Sequence, residues 1–113
     1  MFIYKILRAE DFAALDRDGE TAGAPVDVAD GYIHFSTAAQ AAETAARHFA
    51  GADDLVLAAV EAGPLGAALK WEPSRGGDLF PHLYRRLRRT DIAWIAPLPL
   101  GRNGAHVFPD LDP

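Results

Sequence analysis

Gly31-Tyr32-Ile33-His34-Phe35-Ser36-Thr37 passes from a turn through a strand to the start of a helix, and this switch decides the fold. Asp30-Gly31 supplies the turn, and Tyr32 to Phe35 are aromatic, β-branched or alternating. Ser36 or Thr37 then caps an alanine-rich helix running through about Phe49, with Gly51 just past its end. Towards the N-terminus, Phe2 to Leu7 reads as a strand, and Ala9 to Arg17 as a short amphipathic helix stopped by Asp18-Gly19. Residues 20 to 30 are small, acidic and proline-containing, which predicts a loop. Towards the C-terminus, Leu55 to Val60 reads as a buried strand and Leu69 to Glu72 as a brief extended stretch. Pro73 to Asp78 follows as a glycine-rich loop, and Leu83 to Leu87 and Ile92 to Ala96 as strands joined by a turn over Arg88 to Asp91. This order predicts one α+β domain over residues 1–113, not a doubly wound parallel sheet, with an irregular tail from about residue 98.

Half of the 113 residues are hydrophobic and 10% are aromatic, enough for one stable core. Absence of cysteine excludes disulfides, thiolate metal sites and cysteine nucleophiles. No apolar run approaches the roughly 20 residues that span a bilayer, and no leader-like pattern opens the chain, so a cytoplasmic protein without membrane association is expected. The net charge of −5 argues against general nucleic-acid binding. Yet residues 70 to 89 hold Lys70, Arg75, Arg85, Arg86, Arg88 and Arg89 against Glu72 and Asp78, a local +4. Such a segment attracts a phosphate-like anion, or forms a solvated arginine edge that resists sheet aggregation. Oligomeric state is not legible.

Two blocks carry the candidate chemistry. In the first, Tyr32, His34 and Ser36 share one face of an alternating strand, an aromatic ring, a titratable donor and a hydroxyl beside a helix N-terminus. That set suits a ribose or an amide-bearing ring; the plainer alternative is a core histidine bonded to backbone. In the second, Glu72 lies between Trp71 and Pro73, where the tryptophan desolvates it and raises its pKa while Arg75 opposes. The alternative there is a Glu72–Arg75 surface pair that orders the loop. Gly76-Gly77 permits positive φ and fits a phosphate nest or an ordinary tight turn. His82 and Tyr84 share a face, and His34 and His82 converge on one cleft if their strands adjoin. His48 suits the end of its helix, and His106 in the tail is expected to face solvent. His34, His82 and Glu72 are also the ligand types of a two-histidine, one-carboxylate metal site, but no short spacing marks one, so no metal is expected. Ser36 and Ser74 lack a nucleophile-elbow context.

The run Asp30 to Thr37, the helix ending Arg47-His48-Phe49, the block Leu69 to Gly77 and Leu79-Phe80-Pro81-His82-Leu83-Tyr84 together resemble the bacterial family known as domain of unknown function 952. The likeness spans residues 2 to about 97. It implies a fold similar to that of ADP-ribosyltransferases, a split β-sheet with two short-to-medium helices and NAD as a possible cofactor. By that resemblance Tyr32 or Phe35 stacks nicotinamide, Ser36 or Thr37 is its hydroxyl partner, and Glu72 is the catalytic carboxylate beside His34. Trp71, Arg75, Gly76, Gly77, His82 and Tyr84 complete a site for a small anionic or nucleotide-type ligand. Transferases place histidine or arginine on the first strand, where this chain has Lys5 with Arg8 beyond. The expectation is therefore a nucleotide-type cleft that supports ADP-ribosyl transfer, or a non-catalytic ligand- or partner-binding module on a degenerate transferase fold.

Overall fold

Two antiparallel three-stranded sheets meet at a single backbone bridge, in which Tyr4 and Ser36 exchange N–H···O bonds of 2.8 and 2.9 Å. The structure, a computed structural model, describes residues 1–111 and only the backbone of Arg75. The first sheet has the order β1 (Phe2–Arg8), β4 (Leu55–Glu61), β8 (Ile92–Pro97). In the second, β6 (Leu79–Leu83) lies between β3 (Ile33–His34) and β5 (Leu69–Pro73). A two-stranded ribbon joins β2 (Glu20–Thr21) to β7 (Leu87–Arg88). The α-helices are α1 (Ala9–Asp18), α2 (Pro25–Asp30) and α3 (Ala41–His48). No described helix is long and apolar enough to cross a membrane.

The first sheet is covered on both faces, which explains its unbroken apolar runs. Alternation sends Ile3 and Leu7 of β1, with Ala58 and Val60 of β4, into a core with Leu15, Ile33, Leu83 and Leu87. Tyr4, Ile6, Leu55, Leu57 and Ala59 face the other way, onto Ala45 of α3 and Leu98. Leu57 is fully buried, so truncating it to alanine costs about 2–5 kcal/mol. The tail is irregular but not loose: His106 is half-buried with Nε2 2.7 Å from the Ala52 carbonyl oxygen, contrary to the solvent-facing position expected for it.

Three elements depart from the sequence expectations. Residues 25–30 form a helix inside the expected loop. Pro25 occupies its first turn, the Asp27 carboxylate accepts the Ala24 N–H at 2.7 Å, and Gly31 closes it at φ 86°. α3 starts at Ala41 because Thr37 to Gln40 form a preceding turn. Neither the Ser36 nor the Thr37 hydroxyl caps it; Gln40 Oε1 instead accepts the Thr37 N–H at 3.0 Å. The strand expected over Leu83–Leu87 runs over Leu79–Leu83 instead, with Pro81 inside it. Proline in a central strand loses a ladder bond, but here its carbonyl still accepts the Phe35 N–H at 3.0 Å and β3 ends beside it.

Lys5 shares the Ile3/Leu7 face of β1 and is buried there, which demands a partner. Asp27 of α2 supplies it, accepting from Lys5 Nζ at 2.9 Å and from the His34 N–H at 3.0 Å, with His34 Nδ1 2.6 Å from Oδ1. Gly23, at φ 104°, lets the chain pass this carboxylate; a Cβ there would lie 2.5 Å from the Asp27 side chain. Burial lowers the Lys5 pKa, against the opposing pull of Asp27. Burial also opposes ionisation of Asp27, but the bond from His34 and the Lys5 ammonium outweigh it and hold its pKa at about 2. A carboxyl depressed in the folded state contributes stability above its unfolded pKa and loses it as pH falls through the folded one. Asp27 should therefore contribute roughly 2 kcal/mol at neutral pH, lost between about pH 4 and pH 2. A carboxyl-carbon NMR titration should place its midpoint near 2, and a midpoint near 4 would overturn this account. Asp27→Asn, which strands the Lys5 charge, should cost about 3–5 kcal/mol in denaturant unfolding.

Candidate functional site

The registers of the second sheet bring the polar residues together. His34 pairs with His82 across β3 and β6, and Lys70 pairs with His82 across β6 and β5. One face thus carries His34, His82, Lys70 and Glu72, while Ile33 and Leu83 face the core. Tyr32 and Tyr84 flank the histidine pair at the strand ends. Tyr32 stacks on His82 at 4.2 Å and 21°, and lies 4.7 Å from the His34 ring and 5.2 Å from Tyr84. The two imidazoles stand 5.5 Å apart at 68°. They share one face, as alternation predicted, but the rings pack on each other and fill the space between them. His82 is buried beneath Tyr32, whereas Tyr84 is 41% exposed, so a ligand has access from above the rings and not between them.

Each imidazole is backed by a carboxylate. Asp27 holds His34 from within the fold, and Asp30 Oδ2 lies 3.0 Å from His34 Nε2 on the surface. Glu72 Oε1 accepts the Tyr84 hydroxyl at 2.6 Å and lies 2.9 Å from His82 Nδ1. These bonds, Tyr84 foremost, lower the Glu72 pKa. This corrects the expectation of a pKa raised by Trp71: alternation puts Trp71 on the opposite face, opposite Pro81, away from the carboxylate. The same bond pushes the Tyr84 phenol up to about 12. Burial, then the Asp30 and Glu72 carboxylates, raises that of Tyr32.

Other expected site residues are placed elsewhere. Ser36 is buried, with Oγ 2.9 Å from Thr44 Oγ1 of α3, and Thr37 gives its N–H to Gln40. Gly76 and Gly77 adopt φ of 68° and 83° as a double glycine permits, but the Gly77 N–H donates to the Ser74 carbonyl at 2.8 Å. The Arg75 side chain lies outside the described residues, so its expected anion contact and its pairing with Glu72 do too. The basic segment is largely neutralised by acids that lie outside it. Arg85 makes two bonds to Asp91, at 2.9 and 3.1 Å, Arg89 meets Asp16 at 2.9 Å, and Arg86 meets Glu20 at 3.2 Å.

A shallow groove of about 260 Å³ adjoins the rings, lined by Val28, Tyr32, Tyr84, Arg85 and Arg86 among others, and not by Gly76 or Gly77. A hollow of about 310 Å³ between α3 and the tail is walled mainly by alanines and Phe108. Its histidine, His106, is engaged with the Ala52 carbonyl. Among the described residues no group of three or more His, Asp or Glu is placed to hold a metal ion.

Asp27, Asp30, Lys5 and Lys70 belong to the site's surroundings, and sequence reasoning did not place them there. Pro25 at a helix start, an acid two residues on and Gly31 after it were the available signal for α2, masked by the loop-like composition around them. The Tyr84–Glu72 bond has a direct readout. In a spectrophotometric titration Tyr84 should ionise near pH 12, where an ordinary tyrosine ionises near 10. Glu72→Gln should bring it back towards 10, because ionising the phenol no longer sets two anions together.

Comparison with known proteins agrees with this architecture. A crystal structure of protein CC0527 from Caulobacter crescentus is 50% identical, covering 95% of this chain and 94% of that one, with a TM-score of 0.91. The solution NMR structure of CC0527 is 51% identical over 92% and 90% of the two chains, with a TM-score of 0.84. The search of curated proteins found no match. The family described as protein of unknown function (DUF952) matches residues 6–95, which include Tyr32, His34, Glu72, His82 and Tyr84. The chain belongs to the DUF952 family.

Proposed function

We propose that the ring-bearing face of the second sheet binds a nucleotide-type ligand, ADP-ribose or NAD, on a scaffold of the ADP-ribosyltransferase kind. The observation that carries this reading is the Tyr32–His82 stack with Tyr84 beside it, opening onto the groove that reaches Arg85 and Arg86. A planar base or nicotinamide ring stacks on an exposed tyrosine face, a contact in the range of about 0.5–1.5 kcal/mol beyond burial. Arg86 is the accessible cation for a phosphate: its pair with Glu20 is largely exposed and therefore weak, whereas Arg85 is committed to Asp91.

Glu72 is suited to electrostatic catalysis. It is ionised, and its contacts with Tyr84 and His82 both fall on Oε1, which orients the carboxylate. In ADP-ribosyl transfer such an anion stabilises positive charge developing at the ribose anomeric carbon. A second reading, a binding module without turnover, is favoured by Lys5. The transferase pattern wants a ribose-holding residue on the first strand, and Lys5 is buried in its pair with Asp27.

Calorimetry with ADP-ribose and NAD tests binding, and nicotinamide release tests transfer. Tyr32→Ala should weaken ADP-ribose about tenfold, the loss of one good stacking contact. Glu72→Gln should spare NAD binding; if the wild type releases nicotinamide, it should slow release on the order of 10²-fold. Binding without release supports the module, and no binding of either ligand refutes the nucleotide reading.

A further inference from the structure

We propose that the same face carries a site for an organic ammonium group, seated on the Tyr84 ring beside the Glu72 carboxylate and occupied in the resting protein by Lys70. The Lys70 ammonium lies over the Tyr84 ring, 5.2 Å from its centroid. Tyr32 stands beside it, the two ring centroids 5.2 Å apart and the rings tilted at 44°. An aromatic face attracts a cation through its quadrupole, and an adjoining carboxylate adds charge of the right sign. The supporting electrostatics agree: the Tyr84 and His82 bonds, with a smaller contribution from Lys70, lower the Glu72 pKa, and burial, then the Asp30 and Glu72 carboxylates, raises the Tyr32 phenol.

Lys70 is on β5, an edge strand of its sheet, and is exposed. Its contact is of the weak surface kind, and an outside ammonium can replace it without breaking a buried interaction. Lys70 is therefore an internal competitor, and its removal frees the site. The shared chemistry is an alkylammonium ion, from a free amine or from a lysine side chain of another chain. This inference does not rest on the nucleotide reading, because no phosphate and neither groove arginine takes part.

The test is an NMR shift titration of the whole protein with tetramethylammonium chloride and with Nα-acetyl-lysine amide, against sodium chloride at equal ionic strength. Shifts should centre on Tyr32, Glu72 and Tyr84. Lys70→Ala should tighten binding about threefold and Glu72→Gln weaken it about threefold, the scale of an exposed cation–π contact. Lys70→Met keeps the aliphatic stem and should behave like Lys70→Ala, separating loss of charge from any disturbance of β5. Tighter binding of tetramethylammonium points to a free amine, and tighter binding of the lysine amide to a partner's side chain. Shifts that sodium chloride reproduces, or Lys70 variants that bind no tighter than wild type, overturn the proposal. Ammonium binding with nucleotides inert leaves this site standing and refutes only the nucleotide reading.

Discussion

A lysine buried on the first strand has to be matched, and the structure is arranged around the match. Lys5 sits among Ile3, Leu7 and the core beneath them, so Asp27 must reach it from α2. The same carboxylate accepts the Ala24 N–H at the start of that helix and the His34 N–H on β3. One buried anion thus ties α2 and the β3 that follows it to β1, more than twenty residues earlier, and it fixes the His34 ring through Nδ1. Partly satisfied, the node would be worse than an apolar core; with four donors around one carboxylate it specifies a unique arrangement.

The histidine pair depends on that node and on strand register. A two-residue strand has little pairing energy of its own, yet β3 is held at both ends, by the Tyr4–Ser36 bridge and by Asp27. A slip by one residue would turn His34 into the core and Ile33 to solvent, and the burial of Ile33 and Leu83 forbids it. The ring cluster is the consequence. Tyr32, His34, His82 and Tyr84 are packed together because the opposite face of their strands is committed to the core. His34 and His82 each meet a carboxylate and Tyr84 bonds to Glu72, which makes the face orderly and mildly acidic, not an open cleft.

In the arginine-rich segment the fold adds partners that a local charge count leaves out. Its excess predicts an anion site, but Asp16, Glu20 and Asp91 come alongside Arg89, Arg86 and Arg85 when β7 pairs with β2 and the chain turns into β8. The exposed pairs contribute little to stability. What they change is the field: cations that would draw phosphate are shared with carboxylates, and the acidic side of the ring cluster, with Asp30 and Glu72, gains relative weight.

Local rules sufficed where one segment's own chemistry decides the outcome. β1 and β4 were legible from apolar runs, α1 from periodicity and the Asp18-Gly19 stop, and the shared face of His34 and His82 from alternation along each strand. Tertiary structure decided the rest, because partners far apart in sequence set it. Pro81 spoils the local reading of β6, and only the end of β3 beside it makes a central proline tolerable. Ser36 shares the alternation of His34, but the Tyr4 bridge and Thr44 draw it into the interior. The Glu72 pKa follows from Tyr84 and His82, not from the adjacent Trp71, since neighbours in a strand point to opposite faces. Asp27 looks like a loop acid until Lys5 is buried above it; burial turns an unremarkable carboxylate into the group on which the site rests, and burial is a property of the fold and not of the residue.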